Sequence, residues 1–366
     1  MENFWDFSVW SGFNLIAALL LSLLAANILL RVIPFLRRSL IPASVLGGGI
    51  LVLVAWIFKL ITGKVMFDTA VFGGNGTAVL EVITYHCLAL GFIASTFKPS
   101  KGKLNKKRTS EIFNTGVTTV STYLIQGIFG LGITVIAAVV MKEFFAGAGI
   151  LLPFGYGQGT GQALNYGGIF ENDYGFEGGK SFGLTIAALG FVCASIGGVI
   201  YLNILRRRGK VNLEDRRESS IRSEEIQSEN EIPMHESIDK FTIQIALIGL
   251  AYLITYLLML GLGALLPGMR SVVYGFNFLF GVLSATLVKA CLNLLKKAKI
   301  VKKEYTNAFL MTRASNVFFD VMVVAGIAAI RFSELEKYWG IVLILGAVGM
   351  VITFAYNRIV ANTLFK

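Results

Sequence analysis

Nine apolar runs, each about the length of a bilayer crossing, constrain this chain more than any other feature. They extend from about Ser11 to Leu30, Leu40 to Thr62, Val79 to Phe97, Ile112 to Met141 and Phe182 to Leu205. In the second half they extend from about Phe241 to Leu266, Val272 to Leu295, Tyr305 to Ile330 and Trp339 to Ala361. Of the 366 residues 55% are hydrophobic and only 15% charged, and the mean hydropathy is +0.69. A water-soluble core of this size carries more charge. The expected fold is therefore an all-α polytopic membrane protein of about nine transmembrane helices. In hydrocarbon only helices and closed barrels satisfy their own backbone.

One stretch breaks the pattern. Residues 149–179 read GILLPFGYGQGTGQALNYGGIFENDYGFEGG, with Gly155, Gly157, Gly159 and Gly161 alternating with Tyr156, Gln158 and Thr160. Glycine and proline weaken helix interiors, so this is no ordinary spanning helix. Irregular backbone at membrane depth survives only where protein buries it or it lines a wet cavity, which in transporters is where solutes bind. The stretch reads as a re-entrant hairpin lining a solute site.

Charge placement agrees. Arg31, Arg37 and Arg38 follow the first run, and six basic residues from Lys98 to Arg108 follow the third without an acid. Arg206-Arg207-Arg208 follow the fifth, and Lys296, Lys297, Lys299, Lys302 and Lys303 follow the seventh. Short basic loops stay cytoplasmic. The N-terminus is then outside, the C-terminus inside, and the plasma membrane the expected location. The segment between Met141 and Lys180 must leave on the side it entered, as a hairpin does. The net charge of +11 thus serves topology and anionic-lipid attraction, and no basic, aromatic soluble domain suggests nucleic-acid binding.

Residues 209–239 are polar and mixed in charge, the composition of a flexible cytoplasmic linker. They separate a first repeat, residues 1–208, from a second, residues 240–366. The first starts outside and the second inside. ALGFIASTF at Ala89–Phe97 matches VAGIAAIRF at Val324–Phe332, pairing Gly91 with Gly326, Ala94 with Ala329 and Phe97 with Phe332. The two copies run in opposite directions, as in an inverted-repeat transporter.

Within the hairpin, Thr160 is placed to cap a helix beginning near Gly161, leaving free N–H groups for a carboxylate. Gln158 and Thr160 offer polar readout, and Gly157, Gly159 and Gly161 allow a ligand close to the backbone. These five are the candidate substrate-binding residues. GYGQGTGQ lacks the spacing of a dinucleotide fingerprint, and Gly178-Gly179-Lys180-Ser181 lacks the upstream glycine of a P-loop. In the run from Tyr305, Arg313, Asn316 and Asp320 share a helix face. Asn316 and Asp320 are candidate Na⁺ or H⁺ ligands; an Arg313–Asp320 pair is the structural alternative. His86 reads as a packed histidine or a proton relay, Lys289 as a snorkelling end residue, and Gln126, Gln244 and Asn277 as interhelical hydrogen bonders. Cys87, Cys193 and Cys291 form no CxxC pair, and the two histidines make no metal cluster. No nucleophile–base constellation suggests an enzyme.

Taken together these residues resemble the bacterial sodium:glutamate symporter family. Gly155-Tyr156-Gly157-Gln158-Gly159-Thr160-Gly161-Gln162-Ala163-Leu164 looks like its hairpin motif. Tyr174-Gly175-Phe176, Ile41-Pro42 with Gly47-Gly48, and Leu90-Gly91-Phe92 also match. Asn316 falls where the family has an asparagine after a glycine, here Ser315. The resemblance implies ten spans in two inverted repeats, each with a hairpin. It also implies Na⁺-coupled uptake of glutamate, with no cofactor beyond the coupling ion, and leaves a homodimer open. Gln158 stands where the family has histidine, so a related anionic amino or carboxylic acid is an equal expectation. No counterpart of the second hairpin and last span follows the ninth run. The alternative reading is accordingly a truncated, non-transporting or partner-dependent member.

Overall fold

The computed structural model describes residues 3–38, 41–98, 106–142, 144–207, 239–301 and 303–364. The linker expected at 209–239 lies outside them except for Asp239. So do Lys101, Lys103, Arg208 and Lys302.

Among the described residues the spans are α1 (Phe7–Val32), α2 (Ala43–Thr62), α3 (Gly76–Phe97), α4 (Lys106–Val140), α6 (Gly179–Arg207), α7 (Lys240–Leu265), α8 (Asn277–Lys297), α9 (Ala308–Ala328) and α10 (Trp339–Leu364). All nine are long and apolar enough to cross a membrane. The hairpin supplies α5 (Thr160–Tyr174). Their boundaries follow local chemistry. Gly63 closes α2 in the left-handed conformation (φ 71°), donating its N–H to the Lys59 carbonyl. The Asp239 carboxylate caps α7, accepting from the Thr242 N–H at 3.0 Å. The expected run from Val272 is corrected: Arg270–Gly275 is a separate short helix, and the chain turns at Phe276 before α8 begins. The Phe276 N–H is held there by the Val272 and Val273 carbonyls, which ends the first helix.

The chain forms two compact units. The first comprises Met1–Tyr85, Lys103–Asn212 and Val321–Lys366; the second His86–Gly102 and Leu213–Asp320. The unit boundaries therefore fall inside α3 and α9, so each unit takes residues from both halves of the sequence.

In the first unit, small residues set the packing. Gly48 of α2 lies against Ile327, where a Cβ would stand 2.7 Å from the isoleucine Cβ. Gly130 of α4 meets Gly149 backbone to backbone; a Cβ on Gly149 would lie 2.1 Å from the Gly130 carbonyl carbon. Such approach supplies the dispersion contacts that hold helices together in lipid. In the second unit the core is Ile93, Ala94 and Phe97 of α3, Ile248 and Ala251 of α7, Ala285 and Val288 of α8, and Met311 and Ala314 of α9. Gln244 ties α7 to the segment before α9. Its amide donates to the Tyr305 carbonyl at 2.8 Å and accepts from the Asn307 N–H at 2.9 Å.

Candidate functional site

The hairpin lies wholly within the first unit. Its entering arm is a 3₁₀ turn (Ala146–Ile150), a short helical turn (Leu151–Pro153) and a π-helical turn (Phe154–Gln158). Gly159 then breaks the helix, and α5 returns. Fifteen residues of α5 rise only about 22 Å, short of the roughly 30 Å hydrocarbon core. Gly175 (φ 71°) ends α5, and the chain turns into α6.

The tip is built on Gly159, at φ 77° and ψ −164°. That region of backbone space is essentially restricted to glycine. Thr160 is the first helical residue, so the expected Thr160 cap is corrected. Gly159 occupies the cap position and has no side chain with which to cap. The Thr160 hydroxyl instead donates to the Met322 carbonyl of α9 at 3.4 Å, and Thr160 is fully buried. The first turn of α5 has no side-chain cap.

Gly157 is exposed, and the ring of Tyr123 on α4 lies against one side of it: a Cβ on Gly157 would stand 2.0 Å from that ring. The Tyr123 hydroxyl donates to the Gly157 carbonyl at 3.0 Å. At Gly159 the Phe191 ring approaches to 3.2 Å of a built Cβ. Gly161 is buried and Gln158 half-buried. The five hairpin candidates thus share one tip. Asn316 and Asp320 lie on α9 in the second unit, both exposed. Arg313, on the same face, sets its guanidinium over the Phe309 ring at 5.0 Å.

Two buried amides are conspicuous. Gln162, in the first turn of α5, is 1% exposed. Its carbonyl oxygen accepts from the Asn165 amide at 2.7 Å, but its own Nε2 has no partner among the described residues. Gln126 of α4, 2% exposed, donates to the Thr353 hydroxyl of α10 at 2.6 Å and leaves Oε1 without a donor among the described residues. A buried polar atom without a partner costs about 1–3 kcal/mol, so each marks a place where a donor or an acceptor is wanted. Gln126 also lines a cleft of about 730 Å³ bounded by α4, α6, α10 and Tyr156. Sequence reasoning took Gln126 as an interhelical bond, which is half of its role, and passed over Gln162. The signal for Gln162 was its place one turn past the break.

The base of the hairpin is fastened by aromatics and by charge. Phe144, Phe176 and Phe182 are buried and meet Tyr338 at ring-centroid distances of 5.2, 5.7 and 6.5 Å. Lys180 pairs with Glu81 of α3 at 3.0 Å and with Glu171 of α5 at 3.4 Å. The Ser181 hydroxyl donates to Glu334 at 2.7 Å and accepts from the Arg331 N–H at 3.2 Å. At the other side of the arm, the Tyr156 hydroxyl donates to the Gly346 carbonyl of α10. Glu81, an acid inside an apolar run, was the overlooked sign of this network.

Among the described residues, nine helices apolar enough to cross a membrane and a broken hairpin define a multi-pass membrane protein. The family model for sodium/glutamate symporters matches residues 10–365, and the chain belongs to that family. No curated protein and no solved structure matches it.

Proposed function

We propose that the protein is a secondary transporter that couples Na⁺ to import of glutamate or a related anionic amino acid across the plasma membrane. Family membership supports the symport class. The observation that carries the substrate reading is the tip of the hairpin, where an uncapped helix N-terminus and the unpartnered Nε2 of Gln162 both offer donors. A helix N-terminus carries about half a positive charge, which suits a carboxylate. Asn316 and Asp320, one helical turn apart on α9, would supply oxygens to Na⁺, a hard cation that prefers them. Gln158, which offers an amide rather than an imidazole, leaves a related dicarboxylate or acidic amino acid as the second substrate class. The halves 1–208 and 240–366 are in this reading inverted repeats, and alternating access moves one helix bundle against the other.

The test is uptake of labelled L-glutamate into proteoliposomes holding only this chain, with and without an inward Na⁺ gradient. Gradient-dependent uptake is expected. Folded, inserted protein that takes up neither glutamate nor any competing dicarboxylate, under any Na⁺ gradient, would sink the proposal.

A further inference from the structure

In the second unit, the end of α8 and the segment returning to α9 enclose a small basic pocket of about 110 Å³. Lys289, Asn293 and Lys296 line it from one face of α8, at positions i, i+4 and i+7. Val301, Lys303, Glu304, Tyr305 and Thr306 line it from the returning segment.

The charges do not cancel. Lys296 pairs with Glu304 at 2.7 Å. The Lys289 ammonium donates to the Thr96 carbonyl at 3.2 Å and the Lys98 carbonyl at 2.9 Å. These oxygens fix the side chain without neutralising it. Lys303 has no carboxylate partner among the described residues. Three ammonium groups against one carboxylate leave two positive charges around a space the size of one small anion. A phosphate monoester carries about −1.5 to −2 and three acceptor oxygens, so both its charge and its hydrogen-bonding capacity match. A carboxylate would leave a charge unanswered.

The surroundings favour a membrane source. Leu294, Leu295 and Ile300 flank Lys296, Lys297 and Lys299 in sequence and are exposed, Ile300 at 71%. Exposed aliphatic residues among lysines suit a headgroup–acyl boundary, and basic pockets between spans at the cytoplasmic side bind anionic headgroups. The charge bias places this loop on that side.

We propose that Lys289, Lys296 and Lys303, with Asn293, form a phosphate-binding site for an anionic phospholipid headgroup or a free phosphate. The site is independent of what the hairpin carries.

Native mass spectrometry of the delipidated full chain, resupplied with phosphatidic acid or phosphatidylcholine, tests it. Thermal unfolding in phosphatidylcholine nanodiscs with and without inorganic phosphate forms the second arm. Phosphatidic acid should be retained at least about tenfold more tightly than phosphatidylcholine. Lys303→Gln should weaken it about fivefold, and Lys289→Gln by a similar factor. Lys337→Gln, an exposed change elsewhere, should leave it unaltered. Retention against excess inorganic phosphate assigns the headgroup. Displacement by phosphate, with phosphate-induced stabilisation in nanodiscs, assigns the free anion. Equal retention of the two lipids with no response to phosphate overturns the site. So does an unchanged preference in Lys303→Gln, whose exposed side chain leaves folding intact even if Lys289→Gln, which loses two carbonyl contacts, does not fold.

Discussion

At Gly159 glycine is strongly required, because a residue bearing a Cβ is strained in its backbone conformation (φ 77°, ψ −164°). Gly159→Leu should therefore abolish glutamate binding while the protein still inserts and remains monodisperse. Gly159→Ala should already cost roughly 1–3 kcal/mol in the hairpin. Wild-type uptake by the leucine variant would refute the tip as the substrate site. Gln162 gives a prediction of smaller size for stability. Gln162→Leu removes the orphaned donor and its desolvation cost but also the acceptor of the Asn165 amide, so the two effects offset and the variant should unfold within about 1 kcal/mol of wild type. The same change should weaken substrate binding about tenfold, the value of a hydrogen bond to a charged group. Isothermal titration and a melting curve on one preparation separate the two effects. Thr160 teaches a related lesson. Its hydroxyl chemistry suggested a cap, but the helix starts one residue earlier and the hydroxyl turns to the Met322 carbonyl. Sequence marks which atoms can bond; register decides which do.

At the scale of elements, the segments read as an internal repeat can be compared by their packing. Its two glycines, Gly91 and Gly326, are both sites of close approach, but to different things. A Cβ on Gly91 would lie 2.7 Å from the Phe319 ring, and one on Gly326 would lie 2.6 Å from the Thr160 Cβ. Gly326→Ala should destabilise the protein by about 1–3 kcal/mol through overpacking. Adding Thr160→Gly should recover a measurable part, giving a coupling of about 0.5–3 kcal/mol in a double-mutant cycle read by thermal unfolding. Strict additivity would deny the contact. The hairpin's base offers a second cycle. Lys180 bridges Glu81 on α3 and Glu171 on α5 with side-chain exposures of 27%, 16% and 28%. Lys180→Met should lower stability by about 1 kcal/mol, and hydrogen exchange should quicken in Thr160–Tyr174 before the remaining spans. Exchange that rises uniformly along the chain would mean the network holds no particular element. The alternation of glycines announced the break itself; the ties at its two ends were not legible. They join residues as far apart as Glu81 and Lys180, or Tyr156 and Gly346, which no local pattern relates.

For the molecule as a whole, the orientation is a question of loop charge. With native Cys87, Cys193 and Cys291 replaced, a cysteine at Ser333 should react with an impermeant maleimide in intact cells. One at Lys299 should react only after permeabilisation. The reverse pattern would turn the protein over and move the basic pocket to the other face. The spans among the described residues, their approximate limits and the broken stretch between α4 and α6 were determined by the sequence alone. Hydrophobic length and backbone satisfaction are properties of consecutive residues, and a bilayer leaves few alternatives to them. Tertiary structure decided the rest. It assigned α3 and α9 partly to each compact unit, set the Tyr123 ring against Gly157, and left the donor of Gln162 and the acceptor of Gln126 unanswered among the described residues. It also brought Lys303 back beside Lys289 and Lys296. The physical reason is that hydrogen-bond satisfaction, steric filling and charge cancellation are set by neighbours in space. In this chain several of those neighbours lie far off in sequence, as Thr353 does from Gln126.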